Sequence, residues 1–142
     1  MPGEAGTREA GAVSQNALRD SGIYQIRNTV TGRYYIGCSG LVLYRWIKHR
    51  ELLRAGKHRN KRLQREWTEH GEDAFECRII EYVGSGHYDY DALYAAERRH
   101  LIRSHTETPG LLYNEQMPRG YTTRAELQRY LDNRPAWAKA KP

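Results

Sequence analysis

The chain has 142 residues, of which 39% are hydrophobic, and a formal net charge of +6; its mean hydropathy is −0.88 and its pI is near 9.4. That length accommodates one small domain with tails, and the hydropathy excludes a membrane-spanning segment. The N-terminus has no apolar run of the kind a secretory signal needs, and the excess of positive charge points to a polyanionic partner.

Residues Met1 to Asp20 are rich in Gly, Ala and Ser without periodicity, which reads as a disordered leader with nothing to bury. Ser21 then opens a hairpin, with Gly22-Ile23-Tyr24-Gln25-Ile26-Arg27 as one arm and Arg33-Tyr34-Tyr35-Ile36-Gly37 as the other. Both arms carry Ile and Tyr, residues suited to a pleated, half-buried surface. A turn centred on Thr29-Val30 would set Tyr24 opposite Tyr35, with Gly22 and Gly37 on the same face beside them. An ordinary hairpin with tyrosines at its rim fits the same spacing.

A helix follows from about Leu41 to Ala55 and is stopped by Gly56. Its inward stripe is Leu43, Trp46, Ile47 and Leu53. Arg45 and His49, four residues apart, share another face, where either a phosphate or solvent would offset their mutual repulsion. A loop with His58 leads to a second helix, Asn60 to His70, that contributes Leu63 and Trp67 to the core. Phe75 to Val83 alternates as a strand, with Phe75, Cys77 and Ile79 on one face and Ile80 and Tyr82 on the other; it joins the hairpin as a third strand. Gly84-Ser85-Gly86 closes it.

A third helix, about Tyr90 to Ser104, turns Leu93, Ala96, His100 and Leu101 inward, and Glu97 lies within that stripe. An ionised carboxylate on an apolar face is costly unless it meets an arginine, a metal ion or a water-filled cleft. Pro109-Gly110 turns the chain into Leu111-Leu112-Tyr113-Asn114, whose amide can orient a side chain or a phosphate. Near the end, Thr123 and Glu126 form a capping box for a short helix bearing Leu127, Tyr130 and Leu131. Cys38 and Cys77 lack a CxxC partner and read as free thiols in a reduced, cytoplasmic setting.

The charge is concentrated. Between Arg45 and Arg65 lie Lys48, Arg50, Arg54, Lys57, Arg59, Lys61 and Arg62, opposed by Glu51 alone. A charge run is commonly a solvated face. One that is long, of one sign and next to the hairpin fits a DNA-backbone footprint, and Lys48, Arg50, Arg54, Lys57, Arg59, Lys61, Arg62 and Arg65 are its candidates.

The tripeptides Gly22-Ile23-Tyr24 and Tyr35-Ile36-Gly37 resemble the signature of the GIY-YIG nucleases, and more narrowly of the phage intron-homing type. Arg45 and His49 on the first helix, His58 in the loop after it, Glu97 on the third helix and Tyr113-Asn114 match further positions of that family. Leu63-Gln64-Arg65, His70-Gly71 and Phe75-Glu76-Cys77 resemble its homing subset. The resemblance spans about Ser21 to Gln116. It divides the chain into a leader (1–20), a nuclease domain (21–116) and a C-terminal tail (117–142).

The resemblance implies an α+β fold: a small three-stranded antiparallel sheet flanked by three or more helices. It also implies metal-dependent hydrolysis of phosphodiester bonds in double-stranded DNA, in a phage or bacterial host cell. Such hydrolysis needs a base for the water, a charge sink for the phosphorane and help for the leaving oxygen. The expected roles are Tyr24 as acceptor of the water's proton and Tyr35 as orienter of water or phosphate. Arg45 would clamp the non-bridging oxygens, and Glu97 would hold Mg2+ or Mn2+ with waters completing the shell. His49 and His58 would relay a proton or contact phosphate, and Asn114 would steady the site. Homing relatives carry a linker and a recognition region after the nuclease body, so a separate DNA-recognition domain or partner is expected to supply target choice. A repair or restriction nuclease, or a non-catalytic DNA-binding module of the same fold, are the alternatives; the oligomeric state stays open.

Overall fold

β1 (Gly22–Asn28) pairs antiparallel with β2 (Tyr34–Ser39) on one side and with β3 (Phe75–Tyr82) on the other, so the sheet order is β2-β1-β3. The computed structural model describes residues 18–84, 89–115 and 132–133. The helix expected from Thr123 and nearly all of the expected leader lie outside them.

The register differs from the one expected. Tyr24 faces Gly37 and Tyr35 faces Ile26, because the turn closes one residue later than its centre on Thr29-Val30 implied. Its chemistry explains this. The Asn28 side chain accepts from Val30 N at 2.9 Å, Asn28 N donates to Arg33 O at 2.8 Å, and Gly32 adopts a positive φ of 82°. Thr29 to Gly32 therefore form the whole loop, with Asn opening it and Gly supplying the left-handed residue. The slip is two residues in pairing, so both tyrosines keep a common face. On β3 the pairing jumps from Ile23↔Glu81 to Tyr24↔Ile79, a bulge that leaves Ile80 as the extra residue.

Among the described residues three α-helices pack on this sheet: α1 (Val42–Arg54), α2 (Lys61–His70) and α3 (Tyr90–Glu107). Gly56, at φ 74°, ends α1 as expected. Asn60 caps α2 by accepting from Leu63 N at 2.9 Å, and Asp89 caps α3 through Ala92 N at 3.0 Å. α3 runs on to Glu107 rather than stopping at Ser104.

The central strand is buried on both faces, and each face builds its own core. Tyr24, Ile26, Phe75 and Cys77 pack with Val42, Leu43, Trp46 and Leu53 of α1 and Leu63 and Trp67 of α2. Ile23 and Ile36 pack with Leu93, Ala96 and Leu101 of α3 and with Leu112. Three side chains depart from the sequence reading. Ile47 is exposed, because the α1 stripe is completed by Val42 and His49 instead. Tyr82 is exposed at the end of β3, so that strand is covered on its second face only as far as Ile80. Leu18 is only 2% exposed and belongs to the first core, so the body begins before the expected boundary at Ser21.

Both cysteines are free, Cys77 buried and Cys38 half-buried. Among the described residues no helix is long and apolar enough to cross a membrane.

Candidate active site

The face that β1 and β2 share carries two tyrosines and one forced glycine. A Cβ built on Gly37 would fall onto the phenol ring of Tyr24. Gly37 is thus the bare backbone on which Tyr24 lies, as its direct pairing partner. Gly22 serves a different contact: a Cβ there would strike the Glu81 carbonyl oxygen of β3.

From Tyr24 a chain of hydrogen bonds runs through two buried imidazoles. Tyr24 Oη lies 2.7 Å from His49 Nε2, and His49 Nδ1 lies 2.8 Å from His58 Nε2. The far end has an unambiguous donor, since the Asn60 backbone N–H donates to His58 Nδ1 at 3.0 Å. One fixed donor sets the whole chain. His58 Nδ1 must accept, so its proton sits on Nε2 and is given to His49 Nδ1; the His49 proton then sits on Nε2 and is given to Tyr24. Burial supports neutral rings: it pushes the His49 pKa down to about 3, with His58 and Arg45 adding to the effect. Burial likewise lowers His58, with Arg59 adding to it.

Arg45 lines the same cleft wall as Tyr24, and its positive charge favours the ionised phenol. The phenol oxygen thus receives one N–H, from His49. Burial nonetheless holds the Tyr24 pKa well above 10, reinforced by Tyr35 and Cys77 and opposed by Arg45. The resting group is the neutral phenol. Tyr35 stands edge-on to both imidazoles, with ring centroids 5.3 Å from His49 and 6.1 Å from His58. Its pKa is raised too, by burial first and then by Glu97, against Arg45 and Arg59.

Glu97 reaches the same place from the opposite layer. α3 covers the other face of the sheet, and Glu97, partly exposed, lines a cleft of about 740 Å³ together with Tyr24, Tyr35, Arg45, His49, His58 and Asn114. All seven side chains expected at the site therefore meet in one place. Cys38 lines the wall beside Glu97; burial and that carboxylate push its thiol pKa up to about 12, so it is a neutral thiol and not a thiolate. Asn114 binds the backbone of Ile36 with both ends of its amide, accepting from N at 2.8 Å and donating to O at 2.9 Å. Its amide is engaged in holding β2 beside Tyr35.

The cationic residues separate into groups. Lys48 and Arg59 line the cleft with Arg45, while Lys57, Lys61 and Arg65 are exposed. Arg54 is held by Glu72, with Nε at 2.8 Å, and Arg62 Nε lies 3.5 Å from Glu66. Arg50 stacks its guanidinium 5.3 Å from the Trp46 ring.

Several contributors were not singled out from the sequence. Asn60 joins three parts of the site: its backbone orients His58, its Oδ1 caps α2 and its Nδ2 donates to Tyr113 O at 2.8 Å. Its place between His58 and a helix start was the available signal. Gln64 accepts from His58 N at 2.9 Å and donates to Leu53 O at 3.0 Å, fixing the loop. Glu66 is buried and accepts from Tyr113 Oη at 2.6 Å and Asn28 Nδ2 at 3.2 Å, tying the hairpin turn to α2. Glu115, exposed, adds a second carboxylate to the lining of the cleft.

The GIY-YIG catalytic domain family matches residues 20–105. Intron-associated endonuclease 1 of Enterobacteria phage T4 is 41% identical over 63 residues, which is 44% of this chain and 25% of that relative, so the chain spans about a quarter of its length. Among solved structures, the catalytic domain of homing endonuclease I-TevI aligns with TM-score 0.57 at 30% identity, covering 68% of this chain and 100% of that one. A mutant of the same catalytic domain aligns with TM-score 0.58 at 31% identity, over 68% of this chain and 93% of that one.

Proposed function

The chain belongs to the GIY-YIG catalytic domain family, and on that premise we propose that it is a divalent-metal-dependent endonuclease that hydrolyses phosphodiester bonds in double-stranded DNA, related to the homing type. The observation that carries this reading is the meeting of Tyr24, Tyr35, Arg45 and Glu97 in one cleft, with Lys48 and Arg59 beside them.

The donor set suits a hard cation. Among the described residues no group of three or more His, Cys, Asp and Glu side chains could hold a metal by protein ligands alone. His49 and His58 use both ring nitrogens within the hydrogen-bonded chain. Glu97 is then the ligand, with water and phosphate oxygens filling the other positions; that fits Mg2+ or Mn2+ and does not fit zinc. When bound, the cation supplies charge against the phosphorane and acidifies a coordinated water.

The protein's own groups do the rest. Arg45 binds the non-bridging oxygens of the scissile phosphate and, through its charge beside Tyr24, favours the phenolate. His49 donates a hydrogen bond from its Nε2–H to the same oxygen, which favours the phenolate, and does not take the phenol's proton. Tyr24 accepts the proton of the attacking water once its own hydroxyl proton has passed to solvent in the open cleft, a loss that the charges of Arg45 and of the bound cation would favour. Tyr35 orients the water or the phosphate, and Asn114 keeps β2 in place.

Supercoiled plasmid incubated with Mg2+ should be cut. EDTA should abolish cutting, and Glu97→Ala should slow it by about 100-fold or more, the size expected for removing a group that stabilises transition-state charge. Full-rate cutting by Glu97→Ala, or in EDTA, would overturn this mechanism. An unchanged melting temperature for the variant shows that its loss is not unfolding.

A further inference from the structure

A second cleft, of about 590 Å³, adjoins the first and shares Tyr24, Tyr35, Arg45 and Glu97 with it. Its character is different. Where the first cleft holds imidazoles and cations, the second is walled by Tyr44 from α1 and by Tyr90 and Tyr94 from the first two turns of α3. These rings are 56%, 51% and 53% exposed. Tyr90 and Tyr94 lie 6.1 Å apart with their planes inclined by 31°, and Lys48 Nζ sits 5.8 Å over the Tyr44 ring. A single exposed tyrosine needs no explanation. Three around one concavity, one with a cation over its face, make the arrangement that stacks nucleobases.

We propose that this cleft takes one unstacked nucleobase of the substrate strand, that of a nucleotide adjoining the scissile phosphate. The occupant follows from continuity, because the nucleotide next to a phosphate held by Arg45 must extend from the shared wall. Of its two neighbouring spaces, one is cationic and suited to phosphates, and the other is aromatic and suited to a base. The cleft volume lies within the range of small-ligand sites. DNA cleaved this way is kinked at the cut, so sites that unstack at low cost, such as pyrimidine–purine steps or mismatches, are cleaved faster. The inference rests on the nuclease reading.

The test uses binding in EDTA, so that it does not depend on cleavage. Fluorescence anisotropy measures the Kd for a 12-nucleotide oligothymidine and for a strand of equal length and charge made of abasic sites. The full chain should bind the base-bearing strand about 10-fold or more tightly, the span expected for stacking of one base on tyrosine. Tyr44→Ala with Tyr94→Ala should erase that difference, while the corresponding Phe variants keep it. Tyr82→Ala, which removes an exposed ring outside the cleft, should leave it unchanged. Equal affinity of the parent for the two strands, or an effect of Tyr82→Ala as large as that of the cleft variants, would overturn the proposal even if plasmid cleavage persists. A base-dependent Kd erased by the cleft variants supports it even where no cleavage is found, an outcome that would count against the nuclease reading alone.

Discussion

At the scale of single residues, the direction of the imidazole chain decides what His49 can do. A histidine beside a tyrosine is readily assigned as its base. Here the Asn60 N–H fixes the opposite polarity, and the His49 proton points at Tyr24. The same burial has a thermodynamic consequence. In the unfolded chain His49 takes up a proton near pH 6.5, whereas in the folded protein it does so only near pH 3. Between those values the unfolded state binds more protons, so stability falls as pH falls, by up to about 1.4 kcal/mol per pH unit for one such group. His58, shifted in the same direction, adds to the slope. Thermal melts from pH 7.5 to 5.0 should therefore show a steeper loss for the parent than for His49→Gln. Parallel curves would mean that His49 is protonated in the fold and that the assigned chain is wrong.

At the scale of elements, the pairing of β1 with β2 is held by one steric condition. Gly37→Ala places a methyl where the Tyr24 phenol lies, so either the ring leaves its bond to His49 or the strands separate. A loss of about 1–3 kcal/mol is expected, the usual cost of overpacking, together with loss of most nicking activity. Gly32→Ala is the contrasting change: it strains a φ of 82° in open space. It should lower the melting temperature by several degrees and leave the cleavage rate of the remaining folded protein intact. Equal activity of Gly37→Ala and Gly32→Ala would show that the Tyr24 position is not critical. The contrast also marks what a sequence makes legible. The helical period placed Glu97 on the inward stripe, a local property of its helix, and the turn expected on Thr29-Val30, though one residue off, still put Tyr24 and Tyr35 on one face. Which residue faces Tyr24 depended on where a loop closes, and both Asn28 and Gly32 had to be weighed to place it. Glu66 was less legible still. It sits in a helix dense with charge, and its partners Asn28 and Tyr113 arrive from distant segments.

For the whole molecule, the net charge of +6 overstates and blurs the surface available to DNA. Arg54 is occupied by Glu72, Arg62 by Glu66, Arg99 by Glu81, and Arg27 and Arg78 by Glu76. The exposed Arg54–Glu72 pair adds little to stability, but each of these carboxylates, buried or exposed, cancels a charge that a phosphate would otherwise meet. Lys48 is likewise paired with Glu51, so what remains next to the proposed reacting groups is Arg45 and Arg59 on the wall of the first cleft, and the proposed footprint is narrower than the basic run of the sequence. Counterion release makes this measurable, since log Kd changes with log salt by about 0.9 for each phosphate neutralised on duplex DNA. With binding measured in EDTA between 50 and 300 mM salt, Arg59→Ala should reduce the slope by roughly 1. Arg54→Ala should leave it nearly unchanged, because removing that side chain releases Glu72 rather than losing a phosphate contact. If Arg54→Ala lowers the slope as much as Arg59→Ala does, the ion pairs open on binding and the whole basic run engages DNA. The duplex would then lie across α1 and the start of α2 as well as over the cleft.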